Sequence, residues 1–177
     1  MRKLKNSELT RKTEQEYKQA DKNPFVLVLD NIRSLNNIGS FFRSGDAFLC
    51  EKIYLCGITA TPPDNGIRKT ALDAEKSVDW KYLKETKDAL FELREKNYIL
   101  LAIEQAENST YLQNFIPEKG KKYAFVFGNE VKGVQQSVID ICDGCLEIPQ
   151  EGVKHSVNVS VSAGIVMWDF YSKIKYR

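Results

Sequence analysis

The stretch Tyr123-Ala-Phe-Val-Phe-Gly-Asn-Glu-Val-Lys-Gly133 joins an unbroken apolar run to a polar turn bounded by two glycines. A short apolar run that ends at a turn is typical of a strand buried on both faces of a sheet. Glycines after such a strand let backbone N–H and C=O groups face a ligand, although a plain strand-to-helix turn has the same composition. The stretch therefore predicts a buried strand followed by a candidate binding loop.

The same alternation of apolar runs and amphipathic segments continues on both sides of this stretch. It predicts strands at residues 25–29, 52–56, 78–80, 98–103, 123–127 and 145–148, and helices at residues 7–20, 38–48, 68–74, 86–96, 134–141 and 159–174. This order favours an α/β fold, a mostly parallel sheet flanked by helices on both faces. Ligands of such sheets bind beyond the carboxyl ends of the strands. The loops there begin at Asp30, Gly57, Glu104, Gly128 and Pro149.

Two further polar motifs adjoin apolar runs. They are Asn37-Ile-Gly-Ser-Phe-Phe-Arg43 and, after Ile148-Pro149, the segment His155-Ser-Val-Asn-Val-Ser160. The first and the last motif lie more than 100 residues apart, so a single site built from all three requires a fold that gathers distant parts of the chain. Arg43 lies on a helix dominated by Phe and Ile, and it is either an exposed helix arginine or an arginine held beside a phosphate or a developing oxyanion.

The composition is that of one globular domain. The chain has 177 residues, of which 42% are apolar and 28% are charged, which is enough for a sizeable core. Its apolar runs are too short to span a bilayer, and its charged N-terminus shows no secretory signal. We therefore expect a cytoplasmic protein without a membrane partner, whose four cysteines are reduced thiols.

The basic residues are concentrated near the N-terminus. Residues 1–22 carry seven Lys and Arg against four Asp and Glu (7 − 4 = +3), within a net charge of +2 for the whole chain. Such a segment is either a solvated helix or an arm that contacts phosphates. We expect residues 1–23 to form a basic helical extension and residues 24–177 to form the main domain.

Several common chemistries do not fit the chain. Val134-Gln135 follow the second glycine of Gly128-x4-Gly133, where a P-loop requires Lys and Ser or Thr, and no G-x-G-x-x-G is present. His155 is the only histidine, which excludes a histidine-based triad. The spacing of the Cys50/Cys56 pair is longer than that of structural zinc pairs, so free thiols are favoured and no metal is expected.

Taken together and in this order, the three motifs resemble the signature motifs of the SpoU/TrmH family of RNA ribose 2′-O-methyltransferases, in the SPOUT superfamily. The resemblance covers roughly residues 24–172 and includes the longer string Leu35-Asn-Asn-Ile-Gly-Ser-Phe-Phe-Arg-Ser-Gly-Asp-Ala-Phe48. It implies a parallel α/β sheet with a C-terminal trefoil knot, a rare exception to the rules of chain connection. It also implies S-adenosylmethionine as cofactor, RNA as substrate and a homodimer, so that residues 24–177 would form a SPOUT methyltransferase domain.

The resemblance also implies roles for individual residues. The polar residues of the reaction centre would be Asn37, Arg43, Glu130, Ser156 and Asn158. Cofactor contacts, largely through the backbone, would come from Ile103, Glu104, Gly128, Ile148 and Val157. Because a guanidinium is effectively always protonated, we expect Arg43 to hold a phosphate and stabilise charge on the ribose 2′-oxygen, not to act as a base.

The resulting expectation is an S-adenosylmethionine-dependent enzyme that methylates a ribose 2′-hydroxyl of RNA. The chain leaves no room for the separate N-terminal substrate-binding domain that many family members carry. Since small members of the family often act on transfer RNA, the resemblance favours transfer RNA over ribosomal RNA, which stays open. The alternatives are a non-catalytic RNA-binding member with the same fold and a nucleotide-binding α/β protein of other function. The intact motif residues argue against the first alternative, and the missing phosphate-binding fingerprints weaken the second.

Overall fold

The computed structural model describes residues 1–153 and 156–176, and within them seven strands form one sheet in which all pairs are parallel. The strand order is β3-β2-β1-β6-β4-β7-β5. The strands are β1 Phe25–Asp30, β2 Lys52–Cys56, β3 Trp80–Leu83, β4 Tyr98–Ile103, β5 Thr110–Tyr111, β6 Lys122–Phe127 and β7 Gly144–Glu147. The predicted parallel α/β architecture is confirmed.

Helices cover both faces of the sheet. They are α1 Glu14–Gln19, α2 Leu35–Ala47, α3 Asn65–Ala71, α4 Ala74–Ser77, α5 Thr86–Glu95, α6 Gln136–Ile139 and α7 Val159–Tyr176, with 3₁₀ turns at Asn6–Glu8 and Leu112–Asn114. The core on one face contains side chains of α1, α2, α3, α4 and α7, and the core on the other face contains side chains of α5 and α6.

Strand β1 lies at the centre of the molecule and is buried along its whole length. Its side chains alternate, so that Leu27 and Leu29 face the α2 and α7 side while Val26 and Val28 face the α5 side. Phe170 of α7 meets the rings of Phe25 and Phe125 at centroid distances of 5.5 and 5.3 Å. Aromatic pairs of this kind add about 0.5–1.5 kcal/mol each beyond their buried area.

Several predicted boundaries were wrong, and capping explains two of them. The helix expected at residues 7–20 begins only at Glu14, because Thr13 and Glu16 form a capping box. Helix α2 begins at Leu35, where the Ser34 hydroxyl accepts a hydrogen bond from the N–H of Asn37. Helix α6 is a single turn, and β5, a pair of exposed residues, was missed.

The C-terminal part of the chain crosses back over the sheet. Strand β7 pairs with β4 on the side away from β6, and the chain then returns as α7 to pack against α2. The trefoil knot implied by the resemblance stays a prediction, and so does the division at residue 24. Tyr17 of α1 is buried, with its hydroxyl 3.4 and 3.3 Å from the carbonyl oxygens of Gly45 and Cys50.

The four cysteines are free thiols, as predicted. Cys50 belongs to the core on one face of the sheet and Cys56 to the core on the other, so the two cannot share a metal ion. Burial raises the pKa of the Cys142 thiol to about 12.

No helix among the described residues is both long enough and apolar enough to cross a bilayer.

Candidate active site at the carboxyl edge of the sheet

A cavity of about 720 Å³ opens at the carboxyl ends of β4, β6 and β7. This volume is typical of sites for small organic ligands. The structure brings together eight of the residues expected at the site, which line the cavity: Ile103, Glu104, Gly128, Glu130, Ile148, Ser156, Val157 and Asn158. They come from three distant segments of the chain, which the strand order makes neighbours.

The loop after β6, residues 128–133, forms one wall of the cavity and depends on its two glycines. A Cβ at Gly128 would lie 2.0 Å from the carbonyl carbon of Gly133, and Gly133 has a φ of +67°. Reciprocal backbone hydrogen bonds of 3.0 and 2.9 Å join Asn129 to Gly133. The tight turn therefore presents backbone instead of side chain to the cavity.

Glu104, at the end of β4, fixes this loop in place. One carboxylate oxygen accepts a hydrogen bond of 2.9 Å from the N–H of Val134, and the other accepts one of 2.9 Å from the N–H of Gln105. A Cβ at Gly133 would lie 2.2 Å from the first of these oxygens. Glu104 thus supports the wall as well as lining it.

The third motif forms the opposite wall. Ile148 follows β7, and the N–H of Glu104 donates to the carbonyl of Leu146 at 3.1 Å, which holds the ends of β4 and β7 together. Ser156 and Val157 line the cavity beside Ile148. His155 and Lys154 lie outside the described residues.

A polar centre connects the three motifs beside the cavity. The Asn37 side-chain amide donates to Glu130 at 3.0 Å, and the Asn37 side-chain oxygen accepts from the amide of Asn158 at 3.2 Å. Glu130 also accepts hydrogen bonds of 3.0 and 2.9 Å from the N–H groups of Arg33 and Ser34. Residues separated by more than 90 positions are therefore held in direct contact.

The Glu130 carboxyl is held in its charged form. Partial burial raises the pKa of Glu130, but the hydrogen bonds from Arg33, Ser34 and Asn37 together outweigh burial and leave this pKa below its ordinary value. Glu130 is consequently an anion at neutral pH. A carboxylate in this state accepts hydrogen bonds and positions its donors.

Asn158 also caps helix α7. Its side-chain oxygen accepts a hydrogen bond of 2.9 Å from the N–H of Ser160, and its carbonyl accepts one of 2.9 Å from the N–H of Ser162. The cap orients the Asn158 amide toward Asn37, so that the start of α7 and the start of α2 meet at the polar centre.

Arg43 does not reach the cavity of its own chain. It lies six residues after Asn37 on α2, which corresponds to a rise of about 9 Å and to a different face of the helix. The side chain is exposed, and within the described part of the chain no carboxylate forms an ion pair with it. The remaining candidate residue, Asn37, does reach the site through Glu130 and Asn158.

Three residues that the sequence reasoning missed complete the site. Ser34 caps α2 and donates its N–H to Glu130, and Ser160 donates its hydroxyl to Asn37 at 3.4 Å. The Asn129 side-chain oxygen accepts from the N–H groups of Val131 and Lys132, which shapes the loop after β6. A serine directly before an apolar periodic segment, as Ser34 is before Leu35, is a helix-start signal that could have revealed the first of them. Among the described residues, no group of three or more His, Cys, Asp or Glu side chains is arranged to hold a metal ion.

Comparison with known proteins gives a consistent picture. A family model described as the SpoU rRNA Methylase family matches residues 24–168. The 23S rRNA (guanosine-2'-O-)-methyltransferase RlmB of Neisseria meningitidis serogroup B is 30% identical over 149 residues, which cover 81% of this chain and 56% of that protein. Across the first curated relatives, the chain spans between 56% and 63% of their length.

Solved structures share the fold. The AdoMet-bound rRNA methyltransferase from Sinorhizobium meliloti has a TM-score of 0.79 and 20% identity, covering 91% of this chain and 61% of that chain. The TrmH/SpoU tRNA modifying enzyme of A. aeolicus has a TM-score of 0.78 and 21% identity, covering 90% of this chain and 79% of that chain. At these identities, the likeness establishes the fold.

Proposed function

The chain belongs to the SpoU rRNA methylase family, and we propose that it is an S-adenosylmethionine-dependent RNA methyltransferase that modifies a ribose 2′-hydroxyl. The observation that carries the proposal is the meeting of the second and third motifs at one cavity, where Asn37 of the first motif is hydrogen-bonded to Glu130 and Asn158. A nucleotide-binding protein of other function would not require this centre.

The cavity fits the proposed cofactor. S-adenosylmethionine supplies the methyl group, and its sulfur leaves as a neutral thioether. Gly128 keeps side-chain atoms out of one wall, while Ile103 and Ile148 provide apolar surface for an adenosine. The backbone groups of Gly128, Ile148 and Val157 would hold the cofactor. Glu104, a carboxylate at the rim, is suited to accept hydrogen bonds from ribose hydroxyls.

The polar centre would position the RNA ribose. Glu130 fixes the amide of Asn37, and Asn37 in turn fixes the amide of Asn158. These neutral donors and acceptors, with Ser156, would hold the attacking hydroxyl in line with the methyl group. Alignment of this kind supplies a large part of the rate enhancement in displacement reactions.

Arg43 would act in the cavity of a second subunit. The supporting observations are that Arg43 is exposed and does not line its own cavity, and that α7 carries an exposed apolar stripe next to α2. Val161, Ile165 and Trp168 of this stripe are 52%, 38% and 54% exposed. A homodimer formed through this surface would bury the stripe and bring Arg43 to the partner's bound RNA, where it would hold a phosphate and stabilise charge on the 2′-oxygen.

RNA is the proposed substrate, with transfer RNA favoured over ribosomal RNA. The similar proteins include a 23S rRNA methyltransferase and a tRNA modifying enzyme. The exposed basic residues near the N-terminus, such as Arg11 and Lys12, would contact phosphates.

The experiment is a methyl-transfer assay with methyl-labelled S-adenosylmethionine and RNA from cells that lack the gene. After digestion to nucleosides, we expect label in 2′-O-methylnucleosides, and fractionation of the RNA identifies the substrate. Label in methylated bases would overturn the assignment of the hydroxyl. RNA binding without transfer would favour the non-catalytic alternative.

A further inference from the structure

A second cleft of about 390 Å³ lies at the same edge of the sheet, beyond the carboxyl ends of β1, β2 and β3. Its lining residues are Asn31, Gly57, Ile58, Tyr82, Lys84, Glu85, Thr86 and Gln135. None of them belongs to the three motifs of the cofactor cavity. We refer to it as the β1–β3 cleft.

The polar wall of the β1–β3 cleft is built around one buried carboxylate. Asp30 is fully buried and accepts hydrogen bonds from the Thr86 hydroxyl at 2.6 Å, the Asn31 amide at 2.9 Å and the Gln135 amide at 3.0 Å. The backbone N–H of Gln135 also donates to it, at 3.2 Å. Because all three polar side chains are anchored to the same group, the wall is preformed and rigid.

An aromatic ring stands at the side of this cleft. Tyr82 is 45% exposed, and its hydroxyl donates a hydrogen bond of 3.0 Å to the carbonyl of Gly57. Gly57 has a φ of +64°, and a Cβ there would lie 2.1 Å from the side-chain oxygen of Asn31. The tyrosine is thus held by its hydroxyl while its ring stays accessible. An accessible ring of this kind is a stacking surface for a base.

A cation and hydrogen-bonding groups lie beside the ring. Lys84 is exposed, and no carboxylate of the described residues pairs with its ammonium group. Glu85, also exposed, provides acceptors of the kind that read base edges. The amides of Asn31 and Gln135 each donate one N–H to Asp30, which leaves the second N–H of each amide as a donor. An aromatic ring, a free cation and base-reading groups together match a nucleotide better than they match an apolar or acidic ligand.

The β1–β3 cleft shares a structural wall with the cofactor cavity. The Asn129 amide, on the cavity side of the loop after β6, donates a hydrogen bond of 2.8 Å to the carbonyl of Asn31, on the cleft side. Gln135 lines the cleft, while its neighbours Val134 and Gln136 line the cavity. The cleft and the cavity are therefore adjacent, on either side of this loop.

We propose that the β1–β3 cleft binds a nucleotide of the RNA that neighbours the methylated one, with its base on Tyr82 and its phosphate on Lys84. The inference rests on the proposed function, since it needs RNA as the substrate. It assigns to the cleft a role in substrate recognition that is separate from cofactor binding.

The test compares RNA binding and cofactor binding in matched variants. Tyr82→Ala and Lys84→Ala are compared with Tyr82→Phe, which keeps the ring, and with two controls at exposed positions outside the cleft, Phe91→Ala and Lys121→Ala. Dissociation constants are measured for transfer and ribosomal RNA transcripts over a series of salt concentrations, and separately for S-adenosylmethionine.

We expect Tyr82→Ala to weaken RNA binding about 5-fold or more, as for loss of one stacked base. Lys84→Ala should also weaken RNA binding and reduce the salt slope by about one. Tyr82→Phe and both controls should bind RNA like the wild type, and all variants should keep their affinity for S-adenosylmethionine, which also reports that they are folded.

Two results would overturn the inference, and they are distinguishable. Wild-type RNA affinity in both Tyr82→Ala and Lys84→Ala would remove the subsite while leaving the proposed function intact. A wild-type protein that binds S-adenosylmethionine but no RNA would remove the proposed substrate and the subsite together.

Discussion

The amide of Asn37 stands between a carboxylate and a second amide, and its orientation determines whether the polar centre forms. Its nitrogen faces Glu130 and its oxygen faces Asn158. An aspartate at position 37 would keep the shape of the side chain and the oxygen that accepts from Asn158, but it would lose the N–H that donates to Glu130. It would also put a second negative charge beside Glu130, and like charges at such a distance disfavour each other.

We therefore expect Asn37→Asp to lower kcat/KM about 100-fold or more, an effect comparable to the loss of one group that stabilises the transition state. Binding of S-adenosylmethionine should persist, because Asn37 does not line the cavity. Asn36→Asp is the matched control, since Asn36 is exposed one position earlier on the same helix. Turnover of Asn37→Asp equal to that of the control would exclude Asn37 from the reaction centre.

The sequence places the loops that begin at Gly128 and Pro149 at strand ends, where ligands of parallel sheets bind. The roles of Gly128, Ile148 and Asn158 come from the resemblance to the family and stay predictions. The contact between Asn37 and Glu130 did not follow from the sequence, because it requires β1 and β6 to be neighbours in the sheet. Sequence order places those strands far apart, and only the folded topology joins them.

Among the helices and strands, Glu92 joins α5 to the two strands beneath it. It accepts hydrogen bonds from Tyr54 of β2 at 3.1 Å and from Lys81 of β3 at 2.6 Å, and one of 2.7 Å from Lys96 at the end of α5. The contacts with Lys81 and Lys96 lower the pKa of the Glu92 carboxyl to about 2. These contacts stabilise the folded state only when Glu92 is ionised.

The pH dependence of stability follows from the direction of this shift. A carboxyl whose pKa is lower in the folded state stabilises the protein above the unfolded pKa and loses that contribution as the pH falls through the folded pKa. We expect Glu92→Gln to lower the free energy of unfolding by about 1 kcal/mol at neutral pH. The effect is no larger because Glu92 is partly exposed and water screens its charge. The difference from wild type should shrink between about pH 4.5 and about pH 2.

Chemical denaturation of the wild type and of Glu92→Gln at a series of pH values measures the difference in the free energy of unfolding. Lys96→Gln provides a comparison in which only one of the three donors is lost. A free-energy difference that stays constant down to pH 2 would mean that the charge of Glu92 does not support the contact of α5 with the sheet.

The sequence predicts the presence of the long strands and helices better than the residues at which they begin and end. The apolar runs of β1, β2 and β4 are strong signals because both faces of these strands are buried. The start of α1 depends on one capping box at Thr13 inside a polar segment, and a periodic pattern cannot locate such a feature. Strand β5 has two exposed residues and pairs only with the edge of β7, so it carries no apolar signal.

At the scale of the whole molecule, Arg43 does not line the cavity of its own chain, and we therefore predict a site shared between two subunits. Arg43→Ala and Gly128→Ala proteins should each be inactive, the first because it lacks the phosphate contact and the second because its cavity wall is disrupted. A mixed dimer contains one cavity with an intact Gly128 and an intact Arg43 from the other chain. Mixing the two variants should therefore restore methyl transfer.

The controls are each variant subjected alone to the same exchange of subunits. Activity of the mixture no greater than that of the separate variants would mean that Arg43 serves the cavity of its own chain or no cavity at all. Sedimentation of the wild type gives the independent check that the protein is a dimer.

Distant segments of one chain form a single pocket, and we propose that a methyl donor binds there. Calorimetric titration of S-adenosylmethionine into the wild type, Gly128→Ala and Gly152→Ala tests it most directly. Gly152 is the matched control because a Cβ there meets nothing within 4 Å, whereas one at Gly128 would lie 2.0 Å from backbone atoms. We predict one molecule bound per chain in the wild type and in Gly152→Ala, and none in Gly128→Ala. A wild type that does not bind, or a Gly128→Ala protein that binds equally well, would show that this cavity is not the site of S-adenosylmethionine.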